Sequence, residues 1–307
     1  MGKNDDPEAP GSKRARARRE LIGTVRDILM AVFAVIILLG GLFAYCGVWP
    51  PMVVIESSSM MHDDDSQIGV IDTGDLTLVK KADDRSAIIT YVEAANRRDP
   101  NYGFKTYGDF GNVIIYKKSG QAGTPVIHRA IAWLDYNATA SDPARSIYRG
   151  DLPDIGVYAV AEYTVAGLKS YSPGQPDTPL VIHISAILSN TARSTKPHDG
   201  FITKGDHNRI APNGAGVDQE ALETSYGVKV EPVKLEWVIG RAEGELPWFG
   251  LLKLWLSGQP TSTFPPTSSQ GLIITIVLLV VVPVTLDLVI ARYRKRRKQR
   301  KDARKKQ

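Results

Sequence analysis

Three short segments of the chain carry side chains that could together hydrolyse an amide bond. A Glu-Ser-Ser-Ser-Met sequence at residues 56–60 offers hydroxyl groups, Val-Ile-His-Arg at 126–129 offers a histidine, and Thr-Lys-Gly-Asp-His-Asn at 203–208 offers a carboxylate. Acyl transfer at an amide needs a nucleophile, a base, a group that orients the base, and donors for the developing oxyanion. Each segment alone is typical of an ordinary turn or strand, so the chemistry depends on the three occurring together.

Two apolar runs bracket these segments and predict transmembrane helices. Residues 28–49 contain no charged side chain, and at about 1.5 Å per residue such a helix crosses a hydrocarbon core of roughly 30 Å. Residues 271–290 form the second run, whose one charged residue, Asp287, stands near its end. A cleaved signal peptide is the alternative for the first run, but the apolar core of such a peptide usually has only roughly 7–15 residues.

The distribution of charge predicts the orientation of these helices. Residues 1–27 carry 7 Lys and Arg against 5 Asp and Glu, residues 287–307 carry 11 against 2, and the remainder carries 20 against 26. The positive-inside bias therefore places the ends, 1–27 and 291–307, in the cytoplasm and residues 50–270 outside it. Asn137, in an Asn-Ala-Thr sequence, is then a candidate glycosylation acceptor. Because the basic C-terminal tail has a single aromatic residue, we expect no nucleic-acid partner.

Cysteine and histidine usage argues against a metal site. Cys46 is the single cysteine, so the chain can form neither an intramolecular disulfide nor a cysteine-based metal cluster. The five histidines lack the spacing of zinc ligands, and the three aspartates at 63–65 are typical of a solvated acidic loop. We therefore expect no metal ion and no other cofactor.

Short β-branched runs separated by turn residues predict a mostly β domain between the two anchors. No long segment with a 3.6-residue period is evident there, so no long helix is expected. Thr-Gly-Asp at 73–75 and Tyr-Gly-Asp at 107–109 predict tight turns that lead into strands. The predicted strands cover residues 52–55, 76–80, 113–116, 126–131, 157–160, 180–184, 201–203 and 237–241.

Two segments, residues 82–107 and 134–198, are predicted to be insertions in this domain. The second is long enough to form a small accessory lobe, since structureless loops of that length are uncommon in compact domains. Residues 247–256 are aromatic-rich but too short to span a bilayer. They predict either an interfacial segment or a core helix, and the sequence leaves both open.

In their order and composition, these segments resemble signal peptidase I of the archaeal and endoplasmic-reticulum type. Members of that family carry a Ser-Gly-Ser-Met-like box after a membrane anchor, a Gly-Asp strand start, a Val-His-Arg-Val-like box, and a Thr-Lys-Gly-Asp-Asn-Asn-like box followed by another Asp. The corresponding sequences here lie at 57–60, 74–75, 127–131, 203–208 and 217–219, and residues 238–242 and 247–250 match the family's ending. The resemblance does not cover the two insertions. It implies a signal-peptidase-like β fold flanked by the two transmembrane helices.

The resemblance also implies roles for individual residues. Ser59 would be the nucleophile and His128 the general base. The hydroxyl of Ser57 would help the Ser59 backbone N–H form the oxyanion hole, and Met60 would complete this box on the substrate side. Asp218 is favoured as the acid that orients His128.

Some positions depart from the family pattern. The spacing from Asp206 to Asp218 is longer than in eukaryotic members, so Asp206 stays an alternative orienting acid or a supporting residue. Ser58 replaces the usual glycine, and His62 follows the box as a rival base. Bacterial relatives use a lysine where this chain has His128. A histidine base, with an unperturbed pKa of about 6.5, predicts a rate that falls as the pH drops through the histidine's pKa.

These features predict a membrane-bound serine endopeptidase that removes signal peptides from exported preproteins, at a cell membrane or an endoplasmic-reticulum-type membrane. Its partners would be signal peptides and the lipid bilayer, with the secretion translocon as a further candidate. The alternative is a non-enzymatic, membrane-tethered β domain that binds an extracellular partner and would tolerate Ser59→Ala. A self-cleaving regulator of related fold is disfavoured, because an extracytoplasmic site lies remote from DNA.

Overall fold

The computed structural model describes residues 10–258 and 264–304, and the chain divides into two compact units, Met1–Pro51 and Met52–Gln307. Residues 1–9 and 305–307 of the predicted cytoplasmic ends lie outside the described residues, as do residues 259–263 of the predicted extracytoplasmic segment.

The first unit is built on one long helix, α1 (Pro10–Cys46). Its Glu20–Cys46 part is long and apolar enough to cross a membrane. The helix ends at Cys46 and not at residue 49, where the apolar run ends. Gly47 takes a left-handed φ of 69°, and its N–H still bonds the carbonyl of Phe43 at 2.8 Å, which is the usual way that a glycine terminates a helix.

The second unit contains a large antiparallel sheet and two small ones. The eight-stranded sheet has the order β1-β2-β12-β5-β6-β7-β8, with β11 also paired to β6, while β9 pairs with β10 and β3 with β4. The strands are β1 (Met52–Val54), β2 (Leu76–Lys80), β3 (Lys105–Thr106), β4 (Asp109–Phe110), β5 (Val113–Tyr116), β6 (Val126–Tyr136), β7 (Gly150–Leu152), β8 (Val157–Val160), β9 (Tyr163–Val165), β10 (Leu180–Ile182), β11 (Gly200–Lys204) and β12 (Val238–Leu246).

Five helices accompany these strands in the second unit. They are α2 (Tyr91–Ala95), α3 (Ile184–Ser194), α4 (Asp218–Ala221), α5 (Leu251–Leu256) and α6 (Pro266–Arg304). Single 3-10 turns occur at Arg85–Ala87, Lys118–Gly120, Pro143–Arg145, Pro153–Ile155 and Leu235–Trp237. Within α6, Pro266–Lys295 is long and apolar enough to cross a membrane. The described chain is therefore a mostly β domain with an apolar helix near each end.

The predicted strands occur where β-branched residues alternate or cluster. β2, β5 and β8 have the predicted bounds, and β5 is buried at all four positions because it lies between β12 and β6. β6 is longer than predicted and continues to Tyr136, where it pairs with β7. At 107–109 the predicted turn joins β3 to β4, with Tyr107 and Gly108 both at positive φ, as a tight hairpin requires.

No long segment with a 3.6-residue period is evident between the anchors, so the sequence does not predict α3. Its buried side chains, Ile184, Ile187, Leu188 and Thr191, recur at the spacing of one helical face. This face is only two turns long and is interrupted by polar residues, so the period is weak in the sequence. The helix also shortens the predicted strand at 180–184, which ends at Ile182 because Ile184 begins α3.

The predicted insertion at 134–198 does not form a detached lobe. β7 and β8 extend the main sheet beyond β6, and the buried side chains of α3 belong to the same apolar cluster as Leu134 and Ile202. The insertion therefore enlarges the domain's own core. It also brings a loop at residues 166–178 against the segment that follows β11, where Tyr171 N–H bonds the carbonyl of Asp206 at 3.0 Å.

Candidate active site

Ser59 and His128 lie in contact although they are 69 positions apart in the chain. Ser59 lies in the turn after β1, where the N–H of Met61 bonds the carbonyl of Ser58 at 3.2 Å. His128 lies on β6 opposite Ile114 of β5, and its ring is almost fully buried. The Ser59 Oγ and His128 Nε2 atoms are 2.9 Å apart, which is hydrogen-bond distance.

Asp218 contacts the other nitrogen of the same ring. It is the first residue of α4 and is buried, and its Oδ2 lies 2.6 Å from His128 Nδ1. An ionised carboxylate can only accept hydrogen bonds, so the network assigns the proton to Nδ1. The Nε2 atom is then free to accept the hydroxyl proton of Ser59.

Two hydroxyl groups from the sheet hold Asp218 in place. The Oδ2 atom accepts from Tyr116 OH at 2.8 Å and from Thr203 Oγ1 at 2.6 Å. Burial and the nearby charge of Asp218 raise the pKa of Tyr116 well above its usual value, so this phenol stays a donor. Three donors, including His128 Nδ1, therefore converge on one carboxylate oxygen and fix the orientation of the ring.

The remaining members of the serine box have different surroundings. Ser57 is exposed, and its Oγ lies 3.1 Å from that of Ser59. Met60 is fully buried, so its side chain belongs to the core and does not line an open cleft. Ser57 and Ser58 are both exposed, so the segment that precedes Ser59 is accessible to solvent.

Asp206 binds a buried arginine and makes no hydrogen bond to His128 in the described network. Its Oδ1 accepts from Arg129 Nε at 2.9 Å, and its Oδ2 accepts from Arg129 Nη2 at 2.5 Å. Arg129 is only 1% exposed and spans the loop before β5, where its Nη1 donates to the carbonyls of Thr106, Asp109, Phe110 and Gly111. Asp206 therefore anchors this loop through Arg129, while Asp218 orients the histidine.

His62 is also held by Asp206. Its Nε2 lies 3.0 Å from Asp206 Oδ2, and its ring stacks on that of Tyr171 with a centroid distance of 3.6 Å. The rival base suggested by the sequence thus contacts an aspartate and an aromatic ring, and Ser59 Oγ bonds His128 instead.

No significant match was found when the chain was compared with protein-family models, curated proteins and solved structures. The functional assignment accordingly depends on the geometry of the residues themselves. Within residues 10–258 and 264–304, no group of three or more His, Cys, Asp or Glu side chains is arranged to hold a metal ion.

Sequence reasoning did not identify several residues that complete this arrangement. Thr203 and Arg129 stand inside the motifs, but nothing in those motifs says which neighbour they bind. Tyr116 gave no signal at all, because a tyrosine at the end of an apolar strand is common in cores. Lys204 is buried and donates from Nζ to the carbonyls of Gly205 at 2.8 Å and Asn208 at 2.6 Å. Burial lowers the pKa of Lys204 to about 8.

Gly205 brings the segment after β11 close to Ser59 and His128. A Cβ at this position would lie 2.6 Å from the carbonyl oxygen of Ser59 and 2.8 Å from His128 Nε2. The same Ser59 carbonyl accepts the N–H of His207 at 2.9 Å. Gly205 is therefore required by close approach of the backbone.

We expect Gly205→Ala to lower kcat by a factor on the order of 10² or more, because the methyl group must displace Ser59 or His128 from hydrogen-bond geometry. Steady-state kinetics would measure the loss, with circular dichroism to confirm folding. Gly244→Ala is the matched control, since nothing lies within 4 Å of a Cβ there. Equal activity of the two variants would contradict the close approach.

The stability of the protein at acid pH tests the ion pair between Asp206 and Arg129. Burial alone would raise the pKa of Asp206, but Arg129 and the hydrogen bond from His62 outweigh it and lower the pKa from 3.8 to about 2. Between about pH 2 and pH 3.8 the unfolded chain therefore binds more protons than the folded chain. Ionised Asp206 adds about 2 kcal/mol to the free energy of unfolding above pH 3.8, and this contribution is lost as the pH falls toward 2.

We expect the thermal midpoint of wild type to fall steeply over this window. Asp206→Asn should start lower and show a shallower fall over the same window, because the titrating group is gone. Thermal unfolding followed by circular dichroism at a series of acid pH values checks this. Parallel curves for the two proteins would rule out Asp206 as the titrating group.

Proposed function

We propose that this chain is a membrane-anchored serine endopeptidase of the signal peptidase I type, which removes signal peptides from exported preproteins. One observation carries the proposal: the unbroken contact from Ser59 Oγ to His128 Nε2 at 2.9 Å and from His128 Nδ1 to Asp218 Oδ2 at 2.6 Å. A nucleophile, a base and an acid in this order are the requirements for activating a serine. The motif order of the signal peptidase boxes adds the substrate class.

In the proposed mechanism, His128 Nε2 removes the hydroxyl proton as Ser59 Oγ attacks the scissile carbonyl carbon. The histidine becomes an imidazolium, which Asp218 stabilises through Nδ1. His128 then protonates the leaving amine nitrogen, the C–N bond breaks, and the signal peptide remains as an ester on Ser59. A water molecule, deprotonated by His128, hydrolyses this ester and regenerates the serine.

The tetrahedral intermediate needs donors for its negatively charged oxygen. We assign this role to the backbone N–H of Ser59 and the hydroxyl of Ser57, whose Oγ lies 3.1 Å from Ser59 Oγ. Ser57 is exposed and can therefore turn toward a bound substrate. Small side chains before the cleavage point would be selected by shallow pockets, with the peptide extended along a strand edge.

Two helices that could span a membrane support a membrane location. With both basic ends in the cytoplasm, the catalytic domain would face the side to which preproteins are exported. Enzyme and signal peptide would then share one membrane, which raises their effective concentration without any additional contact. The secretion translocon is the proposed source of substrate.

A membrane-tethered binding domain is the competing function. It requires neither the alignment of Ser59 with His128 nor the three donors on Asp218. A purely structural histidine would also be satisfied by any polar neighbour, so the continuous chain of contacts favours the enzyme.

The proposal is tested by incubating the full-length protein in liposomes with a preprotein whose signal peptide ends in alanine. We expect cleavage after the signal peptide, with the new N-terminus identified by mass spectrometry. A matched preprotein with a bulky residue before the same bond should be cleaved much more slowly. If wild type cleaves neither preprotein in liposomes or detergent, the binding domain becomes the better account.

A further inference from the structure

The loop at residues 166–178, which belongs to the insertion, is held at its base. The strands on either side of it pair with each other, with Val165 opposite Leu180, so the loop closes the β9–β10 hairpin. Leu168, near its start, is buried in the same apolar cluster as Ile210, which follows β11. A loop that is paired at both ends and packed into the core can hold a neighbouring segment in a fixed position.

Beyond this base, the loop bonds the backbone of residues 206–210. Ser170 Oγ donates to the carbonyl of Asn208 at 2.9 Å. The side-chain amide of Gln175 bonds Ile210 twice, because its Nε2 donates to the carbonyl at 3.1 Å and its Oε1 accepts the N–H at 3.1 Å. Since this segment lies beyond the end of β11, the loop supplies hydrogen-bond partners to backbone groups outside the sheet.

The same segment holds the backbone around the candidate nucleophile. The N–H of His207 donates to the carbonyl of Ser59 at 2.9 Å, and the His207 Nδ1 atom lies 3.1 Å from the carbonyl oxygen of Met61. A carbonyl oxygen only accepts hydrogen bonds, so the network assigns a proton to this Nδ1. A displacement of His207 would therefore move the backbone on both sides of Met60.

Tyr171 joins the loop to the end of this turn through His62. Its ring stacks on the His62 ring with the two planes parallel and the centroids 3.6 Å apart. Asp206 ties the two residues together, since its carbonyl accepts the N–H of Tyr171 at 3.0 Å and its Oδ2 lies 3.0 Å from His62 Nε2. The hydroxyl of Tyr171 donates to Asp109 Oδ2 at 3.3 Å, and burial raises the pKa of this phenol above its usual value, so it stays protonated.

We infer that the loop is a positioning element for the candidate nucleophile, and that the ring of Tyr171 keeps Ser59 aligned with His128. Tyr171 bonds neither residue among the described contacts, so it acts through His62 and Asp206. A nucleophile and its base must stay within about 0.5 Å of the productive geometry, which a surface turn alone does not ensure. The resemblance to signal peptidase I does not cover the insertion, so this support comes from outside the family's boxes. Its effect on the rate rests on the proposed function.

Replacement of the ring tests this role. In the full-length protein in liposomes, we expect Tyr171→Ala to lower kcat for a preprotein whose signal peptide ends in alanine roughly tenfold or more. KM should change less than about twofold, because the variant misaligns Ser59 without removing a substrate contact. Tyr171→Phe keeps the stack and the N–H bond, and should restore kcat to within about threefold of wild type. Circular dichroism would confirm that both variants are folded.

Tyr158→Ala is the matched control. Tyr158 lies on β8 of the same insertion and is 63% exposed, and no side-chain hydrogen bond or ring contact involves it among the described residues. This variant should keep the kcat of wild type. An unchanged kcat in Tyr171→Ala, or an equal loss in Tyr171→Ala and Tyr171→Phe, would overturn the inference.

Hydrogen exchange tests the positioning without a cleavage assay. We expect the peptide that covers residues 205–210 to exchange about tenfold faster in Tyr171→Ala than in wild type, since the N–H of His207 loses a fixed acceptor in Ser59. The peptide that covers β5 should exchange equally in both proteins, and Tyr158→Ala should match wild type at 205–210. Equal exchange of 205–210 in Tyr171→Ala and wild type would contradict the inference. If wild type cleaves no preprotein, the proposed function fails, and the exchange experiment still decides whether the loop holds this segment.

Discussion

Ser59→Ala is expected to lower kcat for preprotein cleavage by a factor on the order of 10⁴ to 10⁶ while the protein stays folded. The variant lacks the only hydroxyl bonded to His128 Nε2 among the described contacts, and alanine fits the turn because Ser59 is not fully buried. His128→Ala should cause a similar loss, since without the base the serine keeps its proton.

The combination of these two variants is more informative than either alone. If Ser59 and His128 act as one unit, the double variant should be no slower than the slower single variant. Ser58→Ala is the control, because Ser58 is exposed and bonds the N–H of Met61 through its backbone carbonyl, which alanine retains. A Ser59→Ala protein that cleaves at the wild-type rate would remove the nucleophile assignment.

The two aspartates are expected to give opposite phenotypes when each is changed to asparagine. Asp218→Asn should lower kcat by about 10⁴, because an amide cannot hold His128 in the required tautomer or stabilise its imidazolium. Asp206→Asn leaves the charge of Arg129 buried without its partner and should cost about 3–5 kcal/mol of unfolding free energy.

Urea unfolding and steady-state kinetics on the same preparations would separate the two effects. Asp218→Asn should be the more stable and the less active of the pair at a temperature where both are folded. If instead Asp206→Asn keeps wild-type stability and loses kcat, Asp206 would be the orienting acid and the roles of the two aspartates would be reversed.

The β part of the fold was largely predictable because its strands are short, β-branched and bounded by turn residues. β5 shows this best, since four consecutive apolar residues between Asn112 and Lys117 are typical of a buried strand of this length. α3 was not predictable in the same way, because its apolar face is too short to establish a period. The extent of β6 depended on its pairing with β7 and β11, which the sequence of β6 itself does not reveal.

The candidate site was predictable in its residues and not in its connections. The motif order indicated Ser59 and His128 and favoured Asp218, but the unusual spacing between the two aspartates left Asp206 as an alternative. That choice depends on the path of the loop between them, which places Asp218 at the start of α4 within hydrogen-bond distance of the His128 ring. The sequence did not identify Tyr116 and Thr203 as hydrogen-bond donors to Asp218, because hydroxyl groups on strands usually serve only local hydrogen bonds.

The loop from residue 207 to 217 has both of its ends anchored, at Asp206 by Arg129 and at Asp218 by three donors. Its tip at residues 211–213 is exposed. The side chains that bind the two carboxylates all lie outside this loop, so we expect its tip to accept added residues while Asp206 and Asp218 keep these partners. It is therefore a suitable insertion point for an affinity tag or an optical reporter in the folded protein.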